Sequence, residues 1–301
     1  MENIVETINL TKKYGDKYAL DKVSVHVRKG EIYGLVGRNG AGKTTLMRII
    51  CGLSHATAGE FKLFGQRGDK PGMLAQRRGM LIEDPGYFSE FDAETNLRIK
   101  CKLLGINDRE EPRRLLRMVG LGDVGKKKVG QYSLGMKQRL GIAIAMAGNP
   151  DIVVLDEPIN GLDADGMRLM REILTDITKN YGCTVLISSH ILGELEKIAT
   201  HYGIIRQGKM IQELTAQEME SRCRMFSSVK AADMQQAFLA LKQKYGNVQA
   251  HDGSIRVYDV NDTEGIVEYL LEAGITPSEV KKNRIGLEEY YIELMSRKED
   301  R

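Results

Sequence analysis

Glycines crowd a lysine and two threonines in Gly37-Arg38-Asn39-Gly40-Ala41-Gly42-Lys43-Thr44-Thr45. The spacing is G-x-x-x-x-G-K-[ST], that of a loop whose glycines let backbone N–H groups turn inward around phosphate oxygens. In that chemistry Lys43 carries a mobile positive charge to the β- and γ-phosphates, and the Thr44 hydroxyl ligates Mg²⁺. The flanks supply the context such a loop requires. Ile32-Tyr33-Gly34-Leu35-Val36 reads as a buried strand entering it, and Thr45-Leu46-Met47-Arg48-Ile49-Ile50 as the first turns of a helix leaving it. The N-terminal N–H groups and dipole of that helix favour an anion. Together these residues predict a nucleoside triphosphate site.

Two further segments have types and spacing suited to the same chemistry. Ile152-Val153-Val154-Leu155-Asp156-Glu157 is an apolar strand ending in two carboxylates. At the carboxyl end of a parallel strand, Asp156 is placed to hold Mg²⁺ and Glu157 to act as general base on the attacking water. In Tyr132-Ser133-Leu134-Gly135-Met136-Lys137-Gln138-Arg139, Ser133 is a good N-cap for a helix running to Gly148-Asn149-Pro150. A capped helix start with Gly135 in its first turn is an anion site when ATP is near, and an ordinary helix start otherwise.

The elements that must position these residues follow from periodicity. Residues 3–36 are strand-rich, and Gly59-Glu60-Phe61-Lys62-Leu63-Phe64-Gly65 is a further short strand. Residues 92–148 read as mostly helical, with Asp92 as an N-cap. The continuous apolar runs at 152–155 and 184–188 suit central parallel strands. Arg206-Gln207-Gly208-Lys209 signals a hairpin. Near Thr215 a capping box opens a linker helix. Beyond it lie a helix through Met234, Phe238 and Leu241, a turn at Asp252-Gly253, and helices through Ile266 and from Leu287. The expected organisation is a nucleotide-binding domain over 1–214, with a helical subdomain at about 86–150, and a small α/β domain over 215–301.

Composition narrows the class. The 301 residues carry a net charge of +3 with 28% charged side chains, which gives no footprint for nucleic acid. Cys51, Cys101, Cys183 and Cys223 are scattered without C-x-x-C spacing, as in a reduced cytosolic protein. The acidic Met1-Glu2-Asn3-Ile4-Val5-Glu6 lacks the apolar core of a signal peptide, and no apolar run approaches a bilayer span. The expectation is a soluble chain that reaches a membrane only through a partner.

The phosphate loop, the capped helix and the Asp156-Glu157 strand occur with Asn160-Gly161-Leu162-Asp163 and Ser189-His190 in the order of ATP-binding-cassette nucleotide-binding domains, which residues 4–214 resemble. The resemblance implies an α/β P-loop fold with a mostly parallel central sheet, an antiparallel β layer and a helical subdomain. It makes Ser133-Leu134-Gly135-Met136-Lys137 a variant signature motif, Asn160 to Asp163 the D-loop, His190 the switch histidine and Tyr14 the ring stacked on adenine. It also implies ATP and Mg²⁺ as cofactors and a homodimer with ATP sandwiched between one chain's phosphate loop and the other's Ser133 and Gly135. A separate integral-membrane permease at the inner face of the cell membrane would complete the assembly. Where most of the family carry glutamine, Gly79-Met80-Leu81-Ile82-Glu83-Asp84-Pro85-Gly86 has Glu83, expected to join Thr44 and Asp156 at the metal. That glutamate, together with Tyr132-Ser133-Leu134-Gly135-Met136-Lys137-Gln138-Arg139-Leu140, resembles the bacitracin and lantibiotic exporter branch, as does the ending Leu287-Glu288-Glu289-Tyr290-Tyr291. The rival readings are a translation or DNA-repair cassette ATPase, though only one phosphate loop and no long heptad run are present, and a small-molecule kinase, which leaves the signature segment and His190 unexplained.

Overall fold

A computed structural model describes residues 2–68, 77–83, 86–222, 225–260 and 262–296. Cys223, Asp84 and Pro85, named above, lie outside the described residues. The chain forms two compact units, Met1–Ala216 and Gln217–Arg301.

In the first unit, β1 (Asn3–Tyr14) and β2 (Lys17–Arg28) form a hairpin that β4 (Ala58–Leu63) and β5 (Gln66–Arg67) extend, in the antiparallel order β2-β1-β4-β5. The second sheet comprises β3 (Ile32–Val36), β6 (Arg78–Leu81), β7 (Ile152–Asp156), β8 (Thr184–Ser189), β9 (His201–Arg206) and β10 (Lys209–Thr215). Its order is β10-β9-β3-β8-β7-β6, parallel throughout except for β10, which returns antiparallel on β9. Gln207 and Gly208, both with positive φ, make that return. The β3 and β8 strands are buried along their whole length, so both faces are covered and the apolar runs are continuous. The main core lies between the two sheets and α1 (Lys43–Ile50), with Leu10, Leu20, Val25, Leu35, Leu46, Ile49 and Val154 at its centre. Burial and the Glu213 carboxylate push the Tyr33 phenol well above its ordinary range, and its hydroxyl donates to Glu213 at 2.6 Å.

The helical segment holds α2 (Ala93–Leu103), α3 (Glu111–Met118) and α4 (Leu134–Met146). Asp92 caps α2 by accepting from the Thr95 N–H at 2.7 Å, and Ser133 caps α4 from Met136 at 3.3 Å. No strand is expected from the sequence over Arg78–Leu81. It forms because β7 offers it a parallel edge, and because Gly79 has no side chain: a Cβ there would lie 1.9 Å from the Ala145 carbonyl oxygen of α4. Next come α5 (Ala164–Tyr181), capped by Asp163, and the short α6 (Leu192–Leu195). No helix among the described residues is long and apolar enough to cross a membrane.

The second unit begins on α7 (Ala216–Arg222) and continues as β11 (Met225–Ala231), α8 (Met234–Lys244), β12 (Val248–His251), β13 (Ser254–Tyr258), α9 (Thr263–Glu272), β14 (Pro277–Arg284) and α10 (Leu287–Ser296). The sheet order β12-β13-β11-β14, fed by βαββαβ connectivity, is a ferredoxin-like split βαβ pair. Val229, Leu241, Ile255, Val257, Ile266 and Leu270 form its own core.

Candidate active site

The phosphate loop runs from the end of β3 into α1. Gly40 and Gly42 have φ of 79° and 109°, a region costly for side-chain-bearing residues. A Cβ on Gly37 would lie 2.6 Å from the Ile205 carbonyl oxygen, and one on Gly42 2.6 Å from that of Ala19. The loop is thus pinned against the rest of the unit on both sides. No side chain caps α1, which leaves its first N–H groups aimed into the loop for an anion. Lys43 is only 5% exposed and curls back: Nζ donates to the Gly37 carbonyl at 2.7 Å and stands 3.2 Å from Glu157 Oε1.

Asp156 ends β7. One of its oxygens accepts from Thr44 Oγ1 at 2.6 Å and the other from Ser188 Oγ, which β8 brings alongside. A hydroxyl and a carboxylate converging at the end of a parallel strand are hard oxygen donors suited to Mg²⁺. Glu157 follows with φ near +50°. That turn is held by its N–H donating to Ser188 Oγ at 2.9 Å, and it directs the carboxylate back over the loop. Glu157 Oε2 lies 2.7 Å from His190 Nδ1 and accepts from the His190 N–H at 3.3 Å. Glu157 Oε1 is buried, with an ion pair to Lys43 but no aligned hydrogen bond among the described residues, so it keeps lone pairs for a proton.

Tyr14, Lys17, Tyr18, Ala19, Glu157 and loop residues Asn39 to Thr45 line one cleft. Tyr14 is half exposed at its rim, with the Lys12 ammonium 4.9 Å from the ring centre. The structure therefore brings Tyr14, the loop, Asp156, Glu157 and His190 together. Ser133, Gly135 and Asp163 line a different cleft with Leu134, Met136, Gly161 and Leu162. Glu83, expected at the metal, pairs with the guanidinium of Arg48, one helical turn beyond Thr44. An exposed carboxylate goes to the nearest opposite charge, and Arg48 supplies it. Sequence reasoning missed Arg48, Ser188 and Tyr18. Ser188 had a legible signal, a hydroxyl at the carboxyl end of an apolar strand.

Fold and cleft together define a P-loop nucleoside triphosphatase. The ABC transporter family model matches residues 20–160. The chain is 38% identical over 300 residues to the bacitracin transport ATP-binding protein BcrA of Bacillus licheniformis, covering 98% of each. It is 42% identical over 205 residues to the lantibiotic transport ATP-binding protein SrtF of Streptococcus pyogenes, covering 68% of this chain and 88% of that one. Among solved structures, an ATP-binding subunit of an ABC transporter superposes with TM-score 0.65 at 29% identity, over 73% of this chain and 92% of that one. A dimeric ATP-binding cassette bound to ADP and phosphate shares the fold, with TM-score 0.64 at 23% identity, over 70% and 98%. The chain belongs to the ATP-binding subunits of ABC transporters, and it binds and hydrolyses ATP to power transport.

Proposed function

We propose that this subunit drives a separate membrane permease that exports a peptide antibiotic of the bacitracin or lantibiotic kind, acting at the cytoplasmic face of the membrane. The near full-length likeness to bacitracin transport subunits supports the substrate class. The observation that carries the chemistry is the Glu157 carboxylate, set between Lys43 Nζ and His190 Nδ1 beside the Thr44–Asp156 pair.

In this reading Lys43 exchanges the Gly37 carbonyl for the β- and γ-phosphates, while the loop N–H groups and the α1 terminus hold the remaining oxygens. Tyr14 stacks on the base. Thr44 and Asp156 would hold Mg²⁺, which supplies charge neutralisation on the phosphate oxygens. Glu157 takes the proton of the attacking water, and His190 fixes the orientation of that carboxylate. Ser133 and Gly135 present their helix N-terminus to the nucleotide of a second copy of the chain, with Asp163 beside them. That arrangement pairs two chains around two ATP molecules.

Glu157→Gln tests the assignment, because the amide keeps the shape of the site but cannot serve as base. ATP affinity should persist while turnover falls by about a hundredfold or more. Cells carrying the chain with its permease should resist bacitracin or a lantibiotic, and the mutant should abolish that resistance. Turnover that survives the substitution removes Glu157 from the role; hydrolysis without any resistance phenotype removes the substrate class.

A further inference from the structure

The N-terminal half of α4 makes a contact outside its helix that the proposed chemistry does not use. Gln138 Nε2 donates to the Asn160 carbonyl at 3.0 Å. Asn160 in turn donates its N–H to the Glu157 carbonyl at 3.2 Å. Packing follows the same line: a Cβ on Gly161 would lie 2.9 Å from Leu134 Cδ2, and one on Gly135 3.2 Å from Leu162 Cδ2. The helix start that carries Ser133 and Gly135 is thus joined, through the Gln138 side-chain hydrogen bond and one backbone hydrogen bond, to the residue beside Lys43 and His190.

A second observation concerns the other end of the same amide. Gln138 Oε1 is buried and has no hydrogen-bond partner among the described residues. A buried acceptor without a donor costs stability, so an apolar side chain of equal length would be the better choice for the fold alone. A buried polar atom left unpaired marks a place where local rules give way to function.

We propose that Gln138 is a positioning residue that locks the Asn160–Asp163 loop to the helix carrying Ser133 and Gly135. Engagement of the second copy's nucleotide by that helix then also aligns this chain's own Glu157. The two ATP sites of the pair become coupled through one side-chain amide in each chain. The inference rests on the two-chain reading above and extends it by naming the residue that transmits between sites.

Gln138→Met tests it, since methionine matches the length, favours helix and removes both polar atoms. The variant should melt at or above the wild-type temperature. Its kcat should nevertheless fall by about tenfold or more with KM within about threefold, and the Hill coefficient for ATP should drop toward one. ATP-induced pairing in a Glu157→Gln background should be unaffected by the added Gln138→Met. Gln138→Lys keeps a donor for the Asn160 carbonyl and should recover most of the lost kcat. A Gln138→Met kcat within about twofold of wild type overturns the proposal, as does a lysine variant no more active than the methionine one. A fall in melting temperature that tracks the fall in kcat overturns it too, because that is a structural defect. Glu157→Gln alone reports separately on the two-chain reading: a chain that stays monomeric at saturating ATP removes that reading, whereas a pair with unaltered Gln138→Met kinetics removes only this inference.

Discussion

Buried titratable side chains give this chain a defined response to alkali. Burial pushes the Cys51 and Cys183 thiols up to about 12, against an opposing effect of Arg78 at Cys51, and it raises the Tyr33 phenol well above its ordinary range. All three shifts have the same sign. The unfolded chain releases its thiol protons near pH 9, where the folded chain still holds them. The associated stability is therefore complete below pH 9 and declines until the folded values are reached near 12. Each thiol contributes a slope of about 1.4 kcal/mol per pH unit within that window. Urea midpoints measured from pH 8 to 11 should be flat at first and then fall, and replacing both cysteines with alanine should shallow the fall. The same burial predicts that iodoacetamide at pH 8 leaves Cys51 and Cys183 unmodified in the native protein, as read by mass spectrometry. Rapid labelling at either position would mean that the core around β7 and β8 opens readily.

Among the elements, those surrounding the cleft were the legible ones, and the reason is that their signals are local. A fully buried parallel strand must be a continuous apolar run, as in β3, β7 and β8, and a helix start must satisfy its free N–H groups, as Asp92 and Ser133 do. The strands β6, β11, β12 and β14 escaped because pairing, not periodicity, creates them. Pro277–Arg284 is mostly polar, and Val280 packs against the core of its unit. The site shows the same division. Lys43, Thr44, Asp156 and Glu157 stand out by type and spacing, whereas Ser188 meets Asp156 across 32 positions and Arg48 meets Glu83 across 35. Such pairs exist only once the sheet has formed. Because each unit has its own core, a chain ending at Arg222 should fold cooperatively and bind ATP within about threefold of the full chain, a difference under 1 kcal/mol. Circular dichroism melts and nucleotide titration would check this, and a broad, uncooperative melt would show that the two cores depend on each other.

For the whole molecule the decisive test is whether the Ser133–Gly135 cleft serves a second chain. Gly135→Asp adds a carboxylate where a helix N-terminus would meet phosphate, while within its own chain the added Cβ meets only Leu162 Cδ2 at 3.2 Å. The variant should fold and bind ATP as a monomer, yet its hydrolysis should drop by about a hundredfold or more. Loss of monomer binding would place Gly135 in its own chain's site. A last consequence concerns the close approach of Gly79 to the Ala145 carbonyl. From that contact to Ser133, α4 is a rigid rod about 18 Å long, and strand β6 is its fulcrum. One methyl group at position 79 would act as a wedge under the short arm, and the capped end would swing away from any chain facing it. Gly79→Ala should therefore resemble a lesion of assembly: normal nucleotide affinity, failed pairing, and a defect that deepens with temperature as the wedged edge strand loosens.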